Sequence, residues 1–456
     1  MSRAAAGAHF VGSQALTMAL PLGFVALADA AQIAGSMEAG MTLIAAGHGS
    51  NDAGRRQELA GLKVADFSSV MAGPYCTRLL ADLGADVIKV ESPVGDHVRT
   101  ASPMRNGHSS YFGMLNAGKR DVVLDLKIPQ GRSAAAAIVA WADVVVENFR
   151  PGVMRKFGLD YETLAQSQPG LVYCSISGYG QTGPWIGRPA TAQAIHATSG
   201  FDLALLSFQE QQMAPLSTGL FVADALAGSL AFGAVLAALR SQERTGVGGH
   251  VDLSMLDSLL SMMVYEVQTA QFPQGYDRKG YPPARTRDGY VMIAATSARH
   301  LAAMLDVIGR RDLLSDPRFN TTESRWRHAY ELHEFVEQWT LSRSASECER
   351  AMVAAGVPAA QYGTVAMQLQ GEQLRSRGSV IRAVDAAGEF AVLDVPFKYK
   401  SASTPEDDGA PRQPLRVPCM GEHTREVLHD LLGAQDAEDA IDSGGAMTFE
   451  DPEQAR

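Results

Sequence analysis

The sequence predicts a mixed α/β fold in which helices cover both faces of a parallel sheet. Short runs rich in Val and Ile alternate with helical segments between residues 62 and 177. The clearest runs are LKVADFS, ADVIKVE, DVVVE and LVYCSIS. These runs are short, hydrophobic and rich in β-branched residues, and their alternation with helices is typical of a parallel sheet covered on both faces. A helical segment over 74–84, opened by a proline, separates the first two runs, so they form a βαβ unit.

The later segments continue this order. Helices are predicted over 131–142 and 219–239, and GHVDLS reads as a strand that leads into another helix. Composition then shifts in the Pro- and Gly-containing segment 271–287, which is typical of a linker. Beyond it, DGYVMIAA is a predicted strand, residues 296–380 are mostly amphipathic helix, and 421–433 form a last helix.

Composition and charge exclude several classes of protein. At 456 residues the chain exceeds the size at which one hydrophobic core stops growing, so more than one domain is expected. Its net charge of −11 argues against binding to nucleic acids or to anionic membrane surfaces. The four cysteines are far apart and form no metal-ligand pattern, which argues against a disulfide framework and a zinc site. They fit a reducing cytoplasm.

The two ends of the chain differ from the rest. Residues 1–58 are rich in Ala, Gly, Ser and Met, and are predicted to be a poorly structured N-terminal extension. The segment is a poor match to a signal peptide, because Arg3 is the only Lys or Arg before the apolar patch. Residues 436–456 are predicted to be an acidic tail.

One carboxylate stands out in the apolar run GLFVADALAGSLAFGAVLAAL. Asp224 is the only charged residue in these 219–239 positions. Burying a lone carboxylate is costly, so such a group is usually paired, protonated or functional. Asp224 is therefore a candidate nucleophile or acid/base group. Two alternatives stand beside this one: a membrane span, and an acid that merely stabilises a helix N-terminus.

Several motifs resemble the family III CoA-transferases, the group of formyl-CoA transferase and carnitine CoA-transferase, to which α-methylacyl-CoA racemase is related. They include VADFSSVMAGPYCTRLLADLGADVIKVE, DVVVENFRPGVMRKFGLD, RTGVGGHVDLSMLDSLL and GEHTREVLHDLLG. The resemblance runs in order over about 60–433. It implies a large doubly wound, Rossmann-like domain built from both ends of the chain, with a smaller inserted α+β domain. It also implies an interlocked homodimer.

On this plan the chain divides into consecutive segments. The resemblance implies a CoA-binding large domain over 59–270, the linker 271–287, a small domain over 288–392, and a return to the large domain over 393–435.

The resemblance also implies the chemistry of Asp224, which lies in FVADALAG at the family's nucleophile position. There the carboxylate attacks the thioester of an acyl-CoA donor, which gives a mixed anhydride and free CoA thiolate. The thiolate then returns to form an aspartyl-CoA thioester, and the acceptor carboxylate repeats the two steps in reverse order. Such covalent catalysis divides one difficult exchange into easier steps. The substrates are a coenzyme A thioester and a small carboxylic acid, and no permanently bound cofactor or metal is expected.

The resemblance further assigns residues to CoA. These are Ser69, Val70 and Ala72 against the adenine and pantetheine arm, and Lys119 and Lys156, with the adjacent Arg155, near the phosphates. The segment 60–160 carries twelve basic and ten acidic residues in an acidic protein, a local bias that suits an anionic ligand.

The chain departs from the family pattern at several positions. In RPATAQAIHATSG, Ala192 replaces the usual acid and His196 the usual Gln. A racemase needs two acid/base groups, so Ala192 disfavours that alternative. Met71 and Ser92 replace a Gln and an Arg found in some members, which suggests a substrate other than formate and oxalate. A third alternative is an acyl-CoA-binding protein without turnover.

The sequence leaves two interpretations of His196 and offers three candidates for binding a second substrate carboxylate. His196 is either a substitute base or a structural residue on an Ala-rich helix. Arg188, Arg99 and His97 are candidates for holding a second carboxylate of the substrate.

Overall fold

The computed structural model describes residues 57–207, 215–273, 280–399 and 413–449. Most of the predicted N-terminal extension and the centre of the predicted linker lie outside these ranges. The strands are β1 (Lys63–Asp66), β2 (Asp86–Glu91), β3 (Met104–Arg105), β4 (His108–Ser109), β5 (Arg120–Leu124), β6 (Val144–Glu147), β7 (Val172–Ser177), β8 (Gly249–Ser254), β9 (Ala284–Arg285), β10 (Tyr290–Ile293), β11 (Ala359–Gln361), β12 (Val380–Asp385), β13 (Gly388–Leu393), β14 (Leu415–Arg416) and β15 (Ala446–Met447).

The helices follow the same chain order. They are α1 (Ala72–Asp82), α2 (Ser110–Asn116), α3 (Pro129–Trp141), α4 (Tyr161–Leu164), α5 (Ala192–Ser199), α6 (Phe201–Ser207), α7 (Val222–Thr245), α8 (Met255–Met262), α9 (Val264–Gln271), α10 (Ala298–Val307), α11 (Thr322–Arg327), α12 (Ala329–Thr340), α13 (Ala345–Ala354), α14 (Val365–Gln370), α15 (Glu372–Ser376), α16 (Thr424–Leu432) and α17 (Ala434–Asp442). Short 3₁₀ helices span His97–Thr100, Met154–Phe157 and Arg311–Ser315.

A seven-stranded sheet in the order β15-β5-β2-β1-β6-β7-β8 organises the molecule. All neighbouring strands are parallel except β15, which pairs antiparallel with β5. Chain order reverses between β1 and β6, because β2 and β5 extend to one side and β7 and β8 to the other. In doubly wound sheets, ligands bind outside the carboxyl ends of the strands at this switch point.

Two apolar cores lie on opposite faces of this sheet. On one face, α1, α7 and α8 pack over strand residues such as Val64, Val146 and Cys174. On the other face, α3, α16 and α17 pack over Ile88 and Val145. The predicted α/β fold with a parallel sheet is confirmed, and the burial on both faces explains why hydrophobic, β-branched residues predominate in the strands.

The C-terminal segment differs from the predicted acidic tail. Residues 434–442 form α17, and Ala446 and Met447 add β15 to the edge of the main sheet. The tail prediction is wrong for residues 436–447, because Ala437 and Ala440 form a buried apolar stripe on the otherwise acidic helix. Acidic composition alone concealed this one-sided pattern.

Residues 284–357 have a core of their own, built around side chains such as Leu305, Phe319 and Met352. The neighbouring β12–β13 hairpin, which the prediction placed in the small domain, packs instead with α2. The ring of Phe390 lies so close to Gly113 that a Cβ there would approach its Cζ to 2.5 Å. Glycine at this position therefore allows the β12–β13 hairpin to pack directly against α2.

Helix α7 is the one helix of the described chain long and apolar enough to cross a membrane, with a mean hydropathy of 1.9 over its most apolar window. Only 28% of that window is buried within the chain. Ala223, Ala227, Ala231 and Val235 recur every fourth position and form a stripe that is buried in the core over the sheet. This packing gives the helix a structural role against the sheet and leaves its opposite face uncovered.

Candidate active site

Asp224 lies in the first turn of α7, at the third helical position. Burial raises the pKa of its carboxyl to about 6, against the opposing effect of its own backbone N–H. No basic side chain contributes to this shift. Among the described residues the carboxylate forms no ion pair, which leaves it available to react.

The start of α7 lies beside the start of α1. Gly228, one turn after Asp224, approaches the carbonyl oxygen of Ala72 so closely that a Cβ would stand 2.5 Å from it. Because residues four apart share a helix face, Asp224 is directed to the same side as Gly228. Since α1 follows β1, this contact brings Asp224 to the carboxyl edge of the sheet, near the switch point.

The turn between β1 and α1 is held in an unusual conformation. Val70 has a φ of 67°, in the left-handed region that β-branched residues avoid. Its N–H donates to both carboxylate oxygens of Asp96, at 3.1 and 3.2 Å. On the adjacent residue, Ser69 donates its N–H to the Asn148 side chain and accepts from it, at 2.9 and 2.8 Å. Asn148 follows β6, so the two strands of the switch point are joined by this pair.

The predicted contacts of CoA with this turn fall at different depths. Val70 is 39% exposed and Ser69 is half-buried, so both face the crevice edge. Ala72 is buried, and its methyl group lies in the apolar core beneath α1. Only its backbone can contribute to a site above the turn.

Lys119 does not face the crevice, which corrects the predicted phosphate contact. Its buried ammonium donates to Asp66 at 3.0 Å, Thr77 and Asn116 at 2.8 Å, and the Pro74 carbonyl at 3.0 Å. Burial lowers the pKa of Lys119 to about 8, and the Asp66 carboxylate opposes that shift. Four acceptors surround the group, so it has no free side for a phosphate.

Arg155 and Lys156 lie in the 3₁₀ helix Met154–Phe157 that follows β6. Both are exposed, and Arg155 pairs with Glu162 at 2.9 Å. The two cations thus follow the same strand as Asn148, on the accessible surface. Their contact with phosphate stays a prediction.

Tyr111 belongs to the site although the sequence analysis did not select it. Burial raises the pKa of its phenol, and the charges of Asp224 and Asp96 raise it further. Its ring stacks on Phe221, the residue that precedes α7, with centroids 6.4 Å apart. Its buried hydroxyl has no hydrogen-bond partner among the described residues. The motif SSYFGMLN offered no chemical signal, because its proximity to Asp224 arises only from folding.

His196 is not placed to act as a base. Its Nε2 accepts the backbone N–H of Ala223 at 3.1 Å, so the lone pair that would take a proton is occupied. Burial lowers the pKa of the imidazole below its ordinary value. Ala192, on the same helix, is buried among apolar residues.

The other open positions are also located. Arg99 is not free to hold a substrate carboxylate, because it binds Glu91 at 2.8 Å and Asp121 at 3.0 Å. Arg188 and His97 are exposed, and the Arg188 guanidinium lies 4.6 Å from the ring centre of Trp185. Within the described ranges, no group of three or more His, Cys, Asp or Glu residues is arranged to hold a metal ion.

The positions where Met71 and Ser92 depart from the family pattern lie near the same turn. Met71 is the residue that precedes α1, and Ser92 is an exposed residue directly after β2.

Known proteins are similar in sequence to this chain over most of its length. The family model for "CoA-transferase family III" matches residues 59–424. The succinate–glutarate CoA-transferase of Agrobacterium fabrum is 31% identical over 400 residues, covering 83% of this chain and 96% of that protein. The acetyl-CoA:oxalate CoA-transferase of Acetobacter aceti is 33% identical, covering 77% of this chain and 92% of its own length.

Solved structures agree with this match. A CAIB/BAIF family protein from Brucella suis superposes with a TM-score of 0.70 at 31% identity, covering 83% of this chain and all of that chain. Sequence, fold and the match to the family model agree over the same region, and the chain belongs to the CoA-transferase family III, as an enzyme of the CoA-transferase type.

Proposed function

We propose that this enzyme moves coenzyme A from an acyl-CoA donor to a carboxylic acid through an aspartyl-CoA thioester on Asp224. The observation that carries the proposal is a carboxylate in the first turn of α7, beside the switch point of the sheet, with no basic partner in the described parts of the chain. Burial alone raises its pKa to about 6. A carboxylate poised in this way is suited to nucleophilic attack.

The exchange proceeds in two matched halves. A carboxylate oxygen of Asp224 attacks the thioester carbonyl of the donor, the C–S bond breaks, and CoA leaves as a thiolate. The thiolate then attacks the Asp224 carbonyl of the mixed anhydride and expels the donor acid, which leaves an aspartyl-CoA thioester. The acceptor carboxylate repeats these steps in reverse, so new acyl-CoA forms and the Asp224 carboxylate is regenerated.

The environment of Asp224 serves both halves. With a pKa of about 6, the carboxyl is about nine-tenths ionised at pH 7, although its burial disfavours the charged form. Partial burial also limits hydrolysis of the anhydride, which would waste the thioester. The Tyr111 hydroxyl, on which the charge of Asp224 acts, is a candidate to donate a hydrogen bond to the oxyanion that forms beside Asp224.

The CoA moiety is proposed to lie over the turn at Ser69 and Val70. The switch point of a doubly wound sheet is where such folds bind nucleotides. The exposed side chains of Arg155 and Lys156 then supply cations for its phosphates from the segment after β6. Lys119 supports this turn from below.

The acid partner is proposed to be a small dicarboxylic acid. Several relatives are named for such acids, including succinate and glutarate, mesaconate and oxalate. Arg188 is exposed and carries no ion pair in the described chain, so it is the candidate for the second carboxylate.

A homodimer is part of the proposal. The outer face of α7 is uncovered in the described chain, and exposed apolar side chains lie on this helix and on the two helices that follow it: Leu230 on α7, Met262 on α8 and Val264 on α9. Exposed apolar surface of this kind marks an interface. A variant that combines Met262→Glu with Val264→Glu should be monomeric in light scattering. The control Val353→Glu, at another exposed valine, should stay dimeric. If the double variant is also dimeric, this assignment is overturned.

We also propose a reducing, cytoplasmic location. All four cysteines are free thiols, and three of them are buried, which fits a chain that needs no disulfide.

Intact-mass spectrometry of the purified protein tests the mechanism. Wild type is incubated with succinyl-CoA, glutaryl-CoA and oxalyl-CoA in turn, and the expected product is a CoA adduct that hydroxylamine removes. Asp224→Asn should form none. The matched control is Asp257→Asn, since Asp257 is an exposed aspartate in the first turn of the neighbouring helix α8.

Other outcomes identify the alternatives. Absence of an adduct, together with deuterium uptake at the α-carbon of an acyl-CoA in D₂O, would indicate a racemase and overturn the proposal. Absence of both, with CoA still bound, would indicate a binding protein.

A further inference from the structure

Helix α7 begins without the usual cap. The residue before it, Phe221, has no side chain that can accept a hydrogen bond, and none is made. The first N–H groups of a helix have no partner within the helix, and a polar N-cap side chain normally accepts from the second or third. The second N–H here belongs to Ala223, which is completely buried and therefore cannot be satisfied by water.

A side chain from another helix supplies the missing acceptor. His196 of α5 accepts the Ala223 N–H at its Nε2, at 3.1 Å, and is itself 1% exposed. An imidazole can accept at Nε2 only when it is neutral and carries its proton on Nδ1. The ring also contacts Phe201, at the start of α6, with centroids 5.2 Å apart. Helices α5, α6 and α7 are thus joined at this one ring.

The bond acts on the residue next to Asp224. The Ala223 N–H belongs to the peptide plane between Val222 and Ala223, so the bond fixes the backbone one residue before Asp224. Without an acceptor, the buried N–H is left unsatisfied, and the first turn has to shift or fray to reach another partner. Displacement of a reacting group by about 1 Å is enough to cost about 100-fold in rate.

We propose that His196 is a positioning residue that caps α7 from outside the helix and thereby fixes the attack geometry of the Asp224 carboxylate. This inference rests on the proposed function of Asp224. It gives His196 a role that needs an acceptor atom at Nε2 but no proton transfer. A glutamine, whose amide oxygen can reach the same point, should therefore replace it, whereas an apolar side chain of similar size should not.

The role also makes the cap sensitive to acid. A second proton converts Nε2 into a donor that opposes the Ala223 N–H, so protonation removes the bond. Burial lowers the pKa of His196, and the Asp202 carboxylate on α6 acts in the opposite direction. Asp202 is the charged group of the described chain whose field acts on this ring, and Asp224 follows the capped residue. In wild type, acid therefore weakens both the nucleophile and its support.

The experiment compares His196→Gln with His196→Leu in the full-length protein. The first measurement is the rate of formation of the hydroxylamine-labile CoA adduct, alongside equilibrium CoA binding. We expect His196→Leu to slow adduct formation by about 10- to 100-fold with little change in CoA affinity. His196→Gln should stay within about threefold of wild type. Equal impairment of both variants, or full activity of the leucine variant, would overturn the proposal.

Hydrogen–deuterium exchange over residues 220–227 provides a readout that does not depend on catalysis. The peptide should exchange faster in His196→Leu than in wild type, and at the wild-type rate in His196→Gln. If wild type forms no adduct but exchange follows this pattern, the cap stands and the proposed function fails. Unchanged exchange in the leucine variant would refute the cap itself.

The pH profile separates a cap from simple packing and needs only the glutamine variant, so it decides even if the leucine variant does not fold. Below pH 6, the wild-type rate should fall with the loss of two groups, Asp224 and the cap. In His196→Gln the rate should fall over the same pH range with the protonation of one group, Asp224. A limb that is identical in both proteins would overturn the proposal.

Discussion

The ammonium of Lys119 lies 3.0 Å from the carboxylate of Asp66, and both side chains are completely buried beneath the turn that joins β1 to α1. Burial alone would raise the pKa of Asp66, but Lys119 and Lys89 together hold it below its ordinary value. Lys89 in turn donates to the Ser68 carbonyl at 2.9 Å and to Asp96 at 3.0 Å. A buried charged network thus supports the turn from which Ser69 and Val70 project.

Substitution of Lys119 should therefore affect folding before it affects binding. Lys119→Met leaves Asp66 buried with a weakened set of partners, which typically costs about 3–5 kcal/mol of unfolding free energy. We expect that loss in urea titrations followed by fluorescence. Lys156→Ala is the matched control, since its exposed side chain should change CoA affinity and leave stability unaltered. A folded Lys119→Met protein of normal stability that has lost only CoA affinity would restore the phosphate role.

The side chain of Asn148 should control CoA affinity without touching Asp224. It holds both polar backbone groups of Ser69, so Asn148→Ala releases the turn and lets Val70 relax from its φ of 67°. A left-handed non-glycine residue costs about 1–3 kcal/mol and persists only where its surroundings hold it. We expect CoA to bind about 5- to 30-fold more weakly in isothermal titration calorimetry.

An exposed asparagine provides the control for this measurement. Asn320→Ala removes a similar side chain from the surface after Phe319 and should leave CoA affinity unchanged. Wild-type affinity in Asn148→Ala would show that the turn keeps its shape without the clamp.

The sheet was predictable because its information is local. Runs such as DVVVE carry consecutive β-branched, apolar side chains, and β6 covers four of these five residues. The tail was not predictable from its charge, because the burial of Ala437 depends on a distant helix. Composition reports the average of a segment, whereas a buried stripe is a matter of which few positions face the core.

The nucleophile was predictable for a different reason than its neighbours. Asp224 is conspicuous because its own segment is otherwise apolar, so chemistry and context lie within one run of sequence. Tyr111, Asp96 and Asn148 come from three distant segments and meet only after β1, β6 and α7 are assembled. Lys119 shows the converse error, since a lysine in a motif gives no sign of whether its ammonium is buried.

Tyr111→Phe should have opposite effects on stability and on activity. The buried hydroxyl has no hydrogen-bond partner in the described chain. Its removal should therefore leave the free energy of unfolding unchanged or raise it by up to about 1 kcal/mol. If the hydroxyl stabilises the oxyanion beside Asp224, kcat should fall by about 10- to 1,000-fold. Coupled-assay kinetics and urea titrations check the two effects, and Tyr290→Phe, at an exposed position on β10, is the control. A fall in stability with normal kcat would mean that the hydroxyl serves packing only.

Asp224→Asn should make the protein more stable at neutral pH while abolishing the adduct. The carboxyl titrates at about 6 in the folded chain and near its ordinary value of 3.8 when unfolded. Between these values the folded chain keeps a proton that the unfolded chain has lost, so folding weakens as pH rises from 4 to 6 and is constant above. A shift of about two pKa units corresponds to about 2–3 kcal/mol at pH 7.

Urea titrations at equal protein concentration should show the asparagine variant more stable by up to that amount at pH 7 and equal to wild type near pH 4. The exposed Asp257→Asn should show no such trend. A variant that is equally or less stable at pH 7 would mean that the Asp224 carboxylate is held by partners rather than strained by burial, and the case for it as the reacting group would lose its physical basis.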